Sequence, residues 1–373
     1  GCGISFSLRD KEQIIYLLDE LGIDIIEAGN PAASPKDAEL LSSRFSLTHA
    51  RLAAFGATRR KDCAPKDDPA LAAMAASAIR KYTLGMFGIA VQYALVDGLT
   101  AMGNPSEEDD HPMHGELPHA KYRNVYVEVG EDKKGRYIAI GGDYSYKLSI
   151  DTGYVFSPEL RLYEGSRLVE VSGHIRNLRA NTFNYMYMAH INCMPINGSR
   201  LVYSTPKDNQ NIEVCREDFG DILDEEDAKR LYNYTSRLQE DPSLADVIDF
   251  ETQCYNPELC SIMHYRSDEN GWAHAMQIRP DQTSCYVGFD TSILNNGLRW
   301  FSWTEDERSC GFALPNTGNQ KGRAYAMKNG LMKQLSGYGE AVLRYCFGKL
   351  DSMETVKMEK KINSILKGCK QES

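Results

Sequence analysis

Over residues 8–21 the apolar positions Ile14, Ile15, Leu17, Leu18 and Leu21 fall on one face of a 3.6-residue repeat. Ser7 stands before this run as an N-cap and Gly22 follows it in the usual C-terminal position, so a helix is predicted over 8–21. Residues 23–28, from Ile23 to Ala28, read as a short buried strand. Ser34 and Pro35 open a second helix, with the serine as cap and the proline at the first helical position. Residues 51–55 read as another strand. Helix, strand, helix, strand is the rhythm of a parallel α/β fold.

From about residue 85 the period shortens to two. Val125, Val127 and Val129 alternate on one face of a strand over 124–129. Residues 137–150 and 159–176 also read as strands, the latter folded about a turn at Glu164-Gly165. Further strands are expected at 182–192, 271–278, 284–289, 297–303 and 338–347. Strands in this number, spaced by turn residues, predict an antiparallel sandwich or barrel. Two helices interrupt them. One covers about 223–237 and is acidic at its start, which suits the helix dipole; the other covers about 352–366, with Met358, Ile362, Ile365 and Leu366 as an apolar stripe. The change of texture places a joint between residues 64 and 85, near 78, and divides the chain into segments 1–78 and 79–373. There is no internal repeat and no low-complexity stretch.

Composition narrows the function. The chain has 373 residues, 42% of them hydrophobic, enough for a substantial core. A net charge of −10 argues against nucleic-acid binding. No uninterrupted apolar run approaches the ~20 residues needed to span a bilayer, and no secretory signal is evident. The ten cysteines include no Cys-x-x-Cys pair, and the spacing of Cys254 and Cys260 fits no common zinc pattern, so reduced thiols in a cytoplasmic protein are expected. Nothing in the sequence requires a metal or other cofactor, and oligomeric state is left open.

The candidate chemistry centres on residues 111–118. His111, His114 and Glu116 stand there within six residues, and Pro112, Gly115 and Pro118 break any regular element. A loop of this kind can aim imidazoles and a carboxylate at a bound molecule. His190 and Asn192 end a tyrosine-rich apolar run some 75 residues later. Together they suggest a site for a polar small molecule of sugar type. Glu116 could accept hydrogen bonds from sugar hydroxyls or pair with Lys121 or Arg123. Arg299 beside Trp300 could form a clamp, the ring stacking and the guanidinium donating, or a cation–π pair inside a sandwich. His274 follows Trp272 at strand spacing, so the two share a face. His111 and His119 read as loop residues, with His111 retained as a candidate sugar contact.

Two resemblances sharpen this. The runs 3–7, 18–29, 35–37 and 49–61, the last reading from His49 through Arg51 and Gly56 to Lys61, closely resemble the start of citramalate synthase, in the isopropylmalate synthase group of metal-dependent TIM-barrel enzymes. The resemblance implies a metal-ligand aspartate at the end of a first strand and a later His-x-His pair, and neither is present. Leu8-Arg9-Asp10 falls inside the first predicted helix instead. A (β/α)8 barrel needs roughly 200 or more residues, so the segment is expected to be an inactive fragment, with Glu27 and Arg51 as packing or surface residues.

Residues 86–347 resemble the galactose-mutarotase-like, or aldose 1-epimerase-like, proteins. The motifs, in order, are 98–105 from Gly98 to Pro105, 111–118, 185–192, 200–204, 263–274 from Met263 to His274, 298–300 and 313–317. The resemblance implies a mainly β fold, a β-supersandwich, here incomplete because family members carry further strands before this region. It also implies interconversion of sugar anomers. That reaction needs a base for the anomeric hydroxyl and an acid for the ring oxygen, and histidine suits either. His190 corresponds to the acid and His114 to the other site histidine. The family's late-strand glutamate has no counterpart, since Leu314 and Pro315 occupy the region; Glu116, Glu305 or Asp306 are substitutes. The expectation is therefore an aldose 1-epimerase-like enzyme behind an α/β fragment. The alternatives are a sugar-binding module without turnover, or a synthase fragment carried in a gene fusion.

Overall fold

A computed structural model of the chain describes residues 6–23, 25–31, 34–43, 45–54, 91–216, 219, 223–304 and 308–368, with the backbone alone over 91–95. The expected joint near residue 78 lies outside the described residues.

The N-terminal segment contains helix α1 (Leu8–Glu20), strand β1 (Ile25–Glu27), helix α2 (Pro35–Ser42) and strand β2 (Arg51–Ala53), with β1 and β2 parallel and Ile26 opposite Leu52. Local sequence explains each start. Ser7 Oγ accepts the Asp10 amide at 3.1 Å while the Asp10 carboxylate accepts the Ser7 amide at 2.8 Å, a reciprocal cap. Leu8-Arg9-Asp10 is thus the first turn of a helix, as the spacing predicts. Ile15, Ile26, Leu40, Leu41 and Leu52 form a core of their own. The buried Asp19 carboxylate accepts the amides of Thr48, His49 and Ala50 at 2.7, 2.8 and 2.6 Å, and so sets the loop that leads into β2.

The rest is two antiparallel sheets. One contains β4 (Arg123–Asp132), β5 (Gly135–Leu148), β6 (Thr152–Tyr163), β7 (Leu168–Asn177), β17 (Glu340–Leu350), β13 (Ser284–Asp290), β12 (Trp272–Ile278) and β9 (Arg200–Tyr203), in that spatial order. The other runs β10 (Ile212–Val214), β11 (Leu259–Met263), β14 (Asn296–Trp303), β15 (Arg308–Asn316), β8 (Phe183–Cys193) and β16 (Lys333–Leu335), with β3 (Val91–Leu99) also paired to β8. This is the sandwich that the period-two texture predicts. Helix α3 (Glu225–Glu240), capped by Asp224, and helix α5 (Ser352–Gly368) stand where helices are predicted, and a short helix α4 (Gly322–Lys328) is added. No described helix is long and apolar enough to cross a membrane.

Strand β8 shows how the pleat makes a site. Tyr185, Tyr187, Ala189, Ile191 and Cys193 belong to the main core with Val287, Phe289 and Leu343 of the facing sheet. Met186 and Met188 alternate with them and join Met102, Leu298 and Leu314 in a separate apolar cluster on the other face. His190 and Asn192 continue this second row. Among the elements not foreseen, which include β3, several have no readable period. Strands β9, β10 and β16 have three or four residues each. All five residues of β11 and all but the first of β15 are buried, which erases the alternation.

Candidate active site

The site begins where β3 ends. The loop 111–118 folds back onto residues 98–103: Gly98 donates to the His114 carbonyl at 3.1 Å, His114 to Gly103 at 2.9 Å and Glu116 to Gly98 at 3.1 Å. A Cβ on Gly115 would lie 2.4 Å from the Ala101 carbonyl oxygen, so only glycine permits this approach. His114 itself has a left-handed backbone, φ 64°. That strain is held by the surrounding hydrogen bonds and aims the imidazole at β8.

Five further side chains complete the group around it. Asp97 of β3, fully buried, meets His114 Nδ1 through Oδ2 at 2.7 Å; its Oδ1 has no partner. The rings of His114 and His190 stand edge to face with centroids 5.4 Å apart, and Trp300 of β14 closes on His190 at 5.3 Å. The Asn192 amide reaches His190 Nδ1 at 2.9 Å. The Trp300 indole donates to Glu258 Oε2 at 2.6 Å.

Electrostatics divide the two imidazoles. Burial works against charge on His114, but the Asp97 carboxylate, by hydrogen bond and by charge, with Glu258 beyond it, outweighs burial and raises the pKa above 6.5. His190 is more deeply buried, and burial lowers its pKa despite the charge of Asp97; a protonated His114 lowers it further. With Asn192 donating to Nδ1, a neutral His190 carries its proton on Nε2.

The structure thus brings together His114, His190, Asn192 and Trp300 among the residues singled out by sequence. Others stand elsewhere. Glu116 lies in the same loop but its oxygens are occupied: Oε1 accepts the Leu99 and Thr100 amides at 2.9 and 3.0 Å and the Tyr154 hydroxyl, and Oε2 accepts the Thr100 hydroxyl at 2.5 Å. It pairs with neither Lys121 nor Arg123. His111 contacts the Pro112 carbonyl at 2.9 Å and faces Asp109 at 3.7 Å. With Thr100, Glu116, Tyr146, Asn184 and Arg323 it lines a cleft of about 540 Å³. Arg299 does not join Trp300, because successive residues of β14 face opposite ways; its guanidinium lies in the core, 4.5 Å above the Tyr203 ring. His274 is buried in the other sheet, between Asp268 at 3.0 Å and the Tyr286 hydroxyl at 2.8 Å. Glu305 and Asp306 lie outside the described residues, and Leu314 is fully buried in the apolar cluster. Among the described residues no three His, Cys, Asp or Glu side chains are gathered as a metal site would require.

Sequence reasoning passed over Asp97 and Glu258. A signal existed for the first, since Asp97 is the lone charge in the run 84–100. An isolated carboxylate in an apolar strand is buried only with a partner. Glu258 follows Asn256-Pro257 and begins no motif.

No family model matches the chain. Its structure resembles that of a candidate aldose 1-epimerase from Klebsiella pneumoniae, with a TM-score of 0.61 at 19% sequence identity, over 73% of this chain and 67% of that one. The fold is therefore that of the galactose-mutarotase-like sandwiches. The curated matches concern a short stretch: (R)-citramalate synthase of Sulfolobus acidocaldarius is 51% identical over 70 residues, 18% of this chain and 13% of that enzyme. (R)-citramalate synthase of Synechocystis is 38% identical over 99 residues, 26% of this chain. The chain thus spans less than a fifth of the length of these synthases.

Proposed function

We propose that the sandwich binds an aldose over the His114–His190 face of its second sheet and interconverts the anomers by acid/base ring opening. The observation that carries the reading is the pair of edge-to-face imidazoles with opposite preferences for charge. Two neighbouring titratable groups whose surroundings drive their pKa values apart are suited to opposite halves of a proton-transfer reaction. His114, whose charged form Asp97 favours, is the donor to the ring oxygen. This reverses the order of preference drawn from sequence, where His190 stood first as acid. His190, neutral with its proton on Nε2, orients a sugar oxygen. Glu258, anchored by the Trp300 indole and half-buried, is the carboxylate placed to take the proton of the anomeric hydroxyl. It supplies the base that sequence comparison leaves missing.

Each part of the reaction then has a group: Glu258 removes a proton, the ring opens as His114 delivers one, and the aldehyde rotates before closing on the other face. The indole of Trp300 offers a flat apolar surface for a sugar ring. The test is exchange spectroscopy by NMR on a panel of aldoses. Faster exchange between α and β forms is expected in wild type, and both His114→Asn and Glu258→Gln should lower it by about 10²–10⁴-fold with the fold intact. Retention of full activity in Glu258→Gln would remove Glu258 from the mechanism. Sugar binding with no acceleration would favour a binding module without turnover. The 51% identity of the N-terminal stretch to a synthase supports a second, separate proposal, that this stretch is an inactive synthase remnant joined to the sandwich.

A further inference from the structure

Arg299 takes no part in the site above, and its surroundings call for an explanation. It is 2% exposed, its charge is permanent, and its Nε and Nη2 have no hydrogen-bond partner. Against it stands the Tyr203 ring, and within reach of its charge is the partly buried Tyr265, whose hydroxyl likewise has no hydrogen-bond partner. The Tyr265 ring is pressed against Gly297, where a Cβ would come within 2.4 Å of it, two residues from Arg299 on the same strand. On the other side of β14 the pairing slips, and Phe312 and Ala313 of β15 together oppose Arg299.

Charge is the decisive point. Burial raises the pKa of both Tyr203 and Tyr265, so neither phenol supplies a counter-charge. Asp246 is the carboxylate whose charge reaches Arg299, but its oxygens are taken, one by the Tyr203 hydroxyl at 2.5 Å and the other by Lys207 at 2.5 Å. The Tyr203 hydroxyl that bonds Arg299 relays it to Asp246, but Lys207 shares that carboxylate, so one positive charge of the group lacks a counter-charge, and water can satisfy the open N–H groups but not that charge. The open Nε–Nη2 edge is the one with which arginine holds anions in two-point contact. We infer that Arg299 and Tyr265 form an internal site for a monovalent inorganic anion of halide size, set between the two sheets and separate from the His114–His190 face.

The probe is bromide. Crystals of the full chain grown in sodium bromide, with data collected at the bromine absorption edge, should show an anomalous peak in contact with Arg299 Nε and Nη2 and the Tyr265 hydroxyl. In solution, sodium chloride should raise the melting temperature above that in sodium gluconate at equal ionic strength. The expected rise is about 2–4 °C at a chloride concentration a few times the dissociation constant. The difference should vanish in Arg299→Met and shrink in Tyr265→Phe, which keeps the ring and removes one donor. Should Arg299→Met fail to fold, the Tyr265→Phe comparison and the anomalous map still decide the matter. Equal melting in chloride and gluconate, an ordered water with no anomalous signal at Arg299, or bromide on exposed surfaces alone would each overturn the inference. A bromide peak at Arg299 with no halide effect on melting marks an adventitious ion only, and overturns it as well.

Discussion

Glu116 separates a structural from a chemical reading most cleanly. In Glu116→Ala, the Leu99 amide and the Tyr154 hydroxyl lose their acceptor, and both residues are fully buried, so water cannot replace it. The Thr100 amide and hydroxyl also lose theirs, but Thr100 is half-buried and can turn to solvent. A hydrogen bond to a charged group contributes about 1.5–3 kcal/mol, and the two stranded donors set the expected cost of Glu116→Ala at about 3–6 kcal/mol. Glu116→Gln keeps one acceptor oxygen and should cost about 1–2 kcal/mol. Urea unfolding of the three proteins measures this. Anomer exchange, measured where all remain folded, should persist in Glu116→Gln. A cost below about 1 kcal/mol for Glu116→Ala, together with loss of exchange in a stable Glu116→Gln protein, would refute the reasoning and place Glu116 in the chemistry.

Three further outcomes are expected. His114 has a folded-state pKa above 6.5, so the stability it contributes is complete below pH 6.5 and fades as pH rises through the folded value. Asp97→Asn should therefore destabilise more at pH 5.5 than at pH 8, and equal costs at the two pH values would contradict the Asp97–His114 pairing. Asp268 is buried yet its pKa is depressed: burial opposes this, and contacts from Lys361, the Trp272 amide and His274 overcome it. Its stabilisation is present above the ordinary value of 3.8 and lost as pH falls through the folded one. Lys361→Met, which leaves that carboxylate without its cation, should cost about 3 kcal/mol, the low end for a broken buried pair because the lysine is partly exposed, and should speed hydrogen exchange over 352–368. Ile362 of α5 is fully buried against Ile278 and Leu350, and Ile362→Ala should cost about 2–5 kcal/mol in thermal or urea unfolding.

Much of this protein was legible in local sequence. Ser7, Ser34 and Asp224 announce helices because a cap is a contact between residues three apart, and the valines of β4 announce a strand because the pleat repeats every two residues. The alternation along β8 also puts His190 and Asn192 on one face without any knowledge of what lies across from them. The turn residues around His114 mark it as a loop residue, and Gly115 explains why the loop can close on Ala101.

What the pattern could not supply was the company each side chain keeps. Asp97 reaches His114 by a hydrogen bond from β3 and Glu258 acts on it through charge from the residue before β11, 17 and 144 residues away in the chain, interactions that no local period encodes. Arg299 and Trp300 are neighbours in sequence and strangers in space, since one residue of register sends them to opposite faces of β14. Glu116 looked free to act until the fold turned two backbone amides and a buried tyrosine toward it. The sequence alone determined the elements and their faces, because those depend on neighbours a few residues away. Tertiary structure decided which faces meet, and with that which histidine favours the charged form and which cation lies buried inside the sandwich.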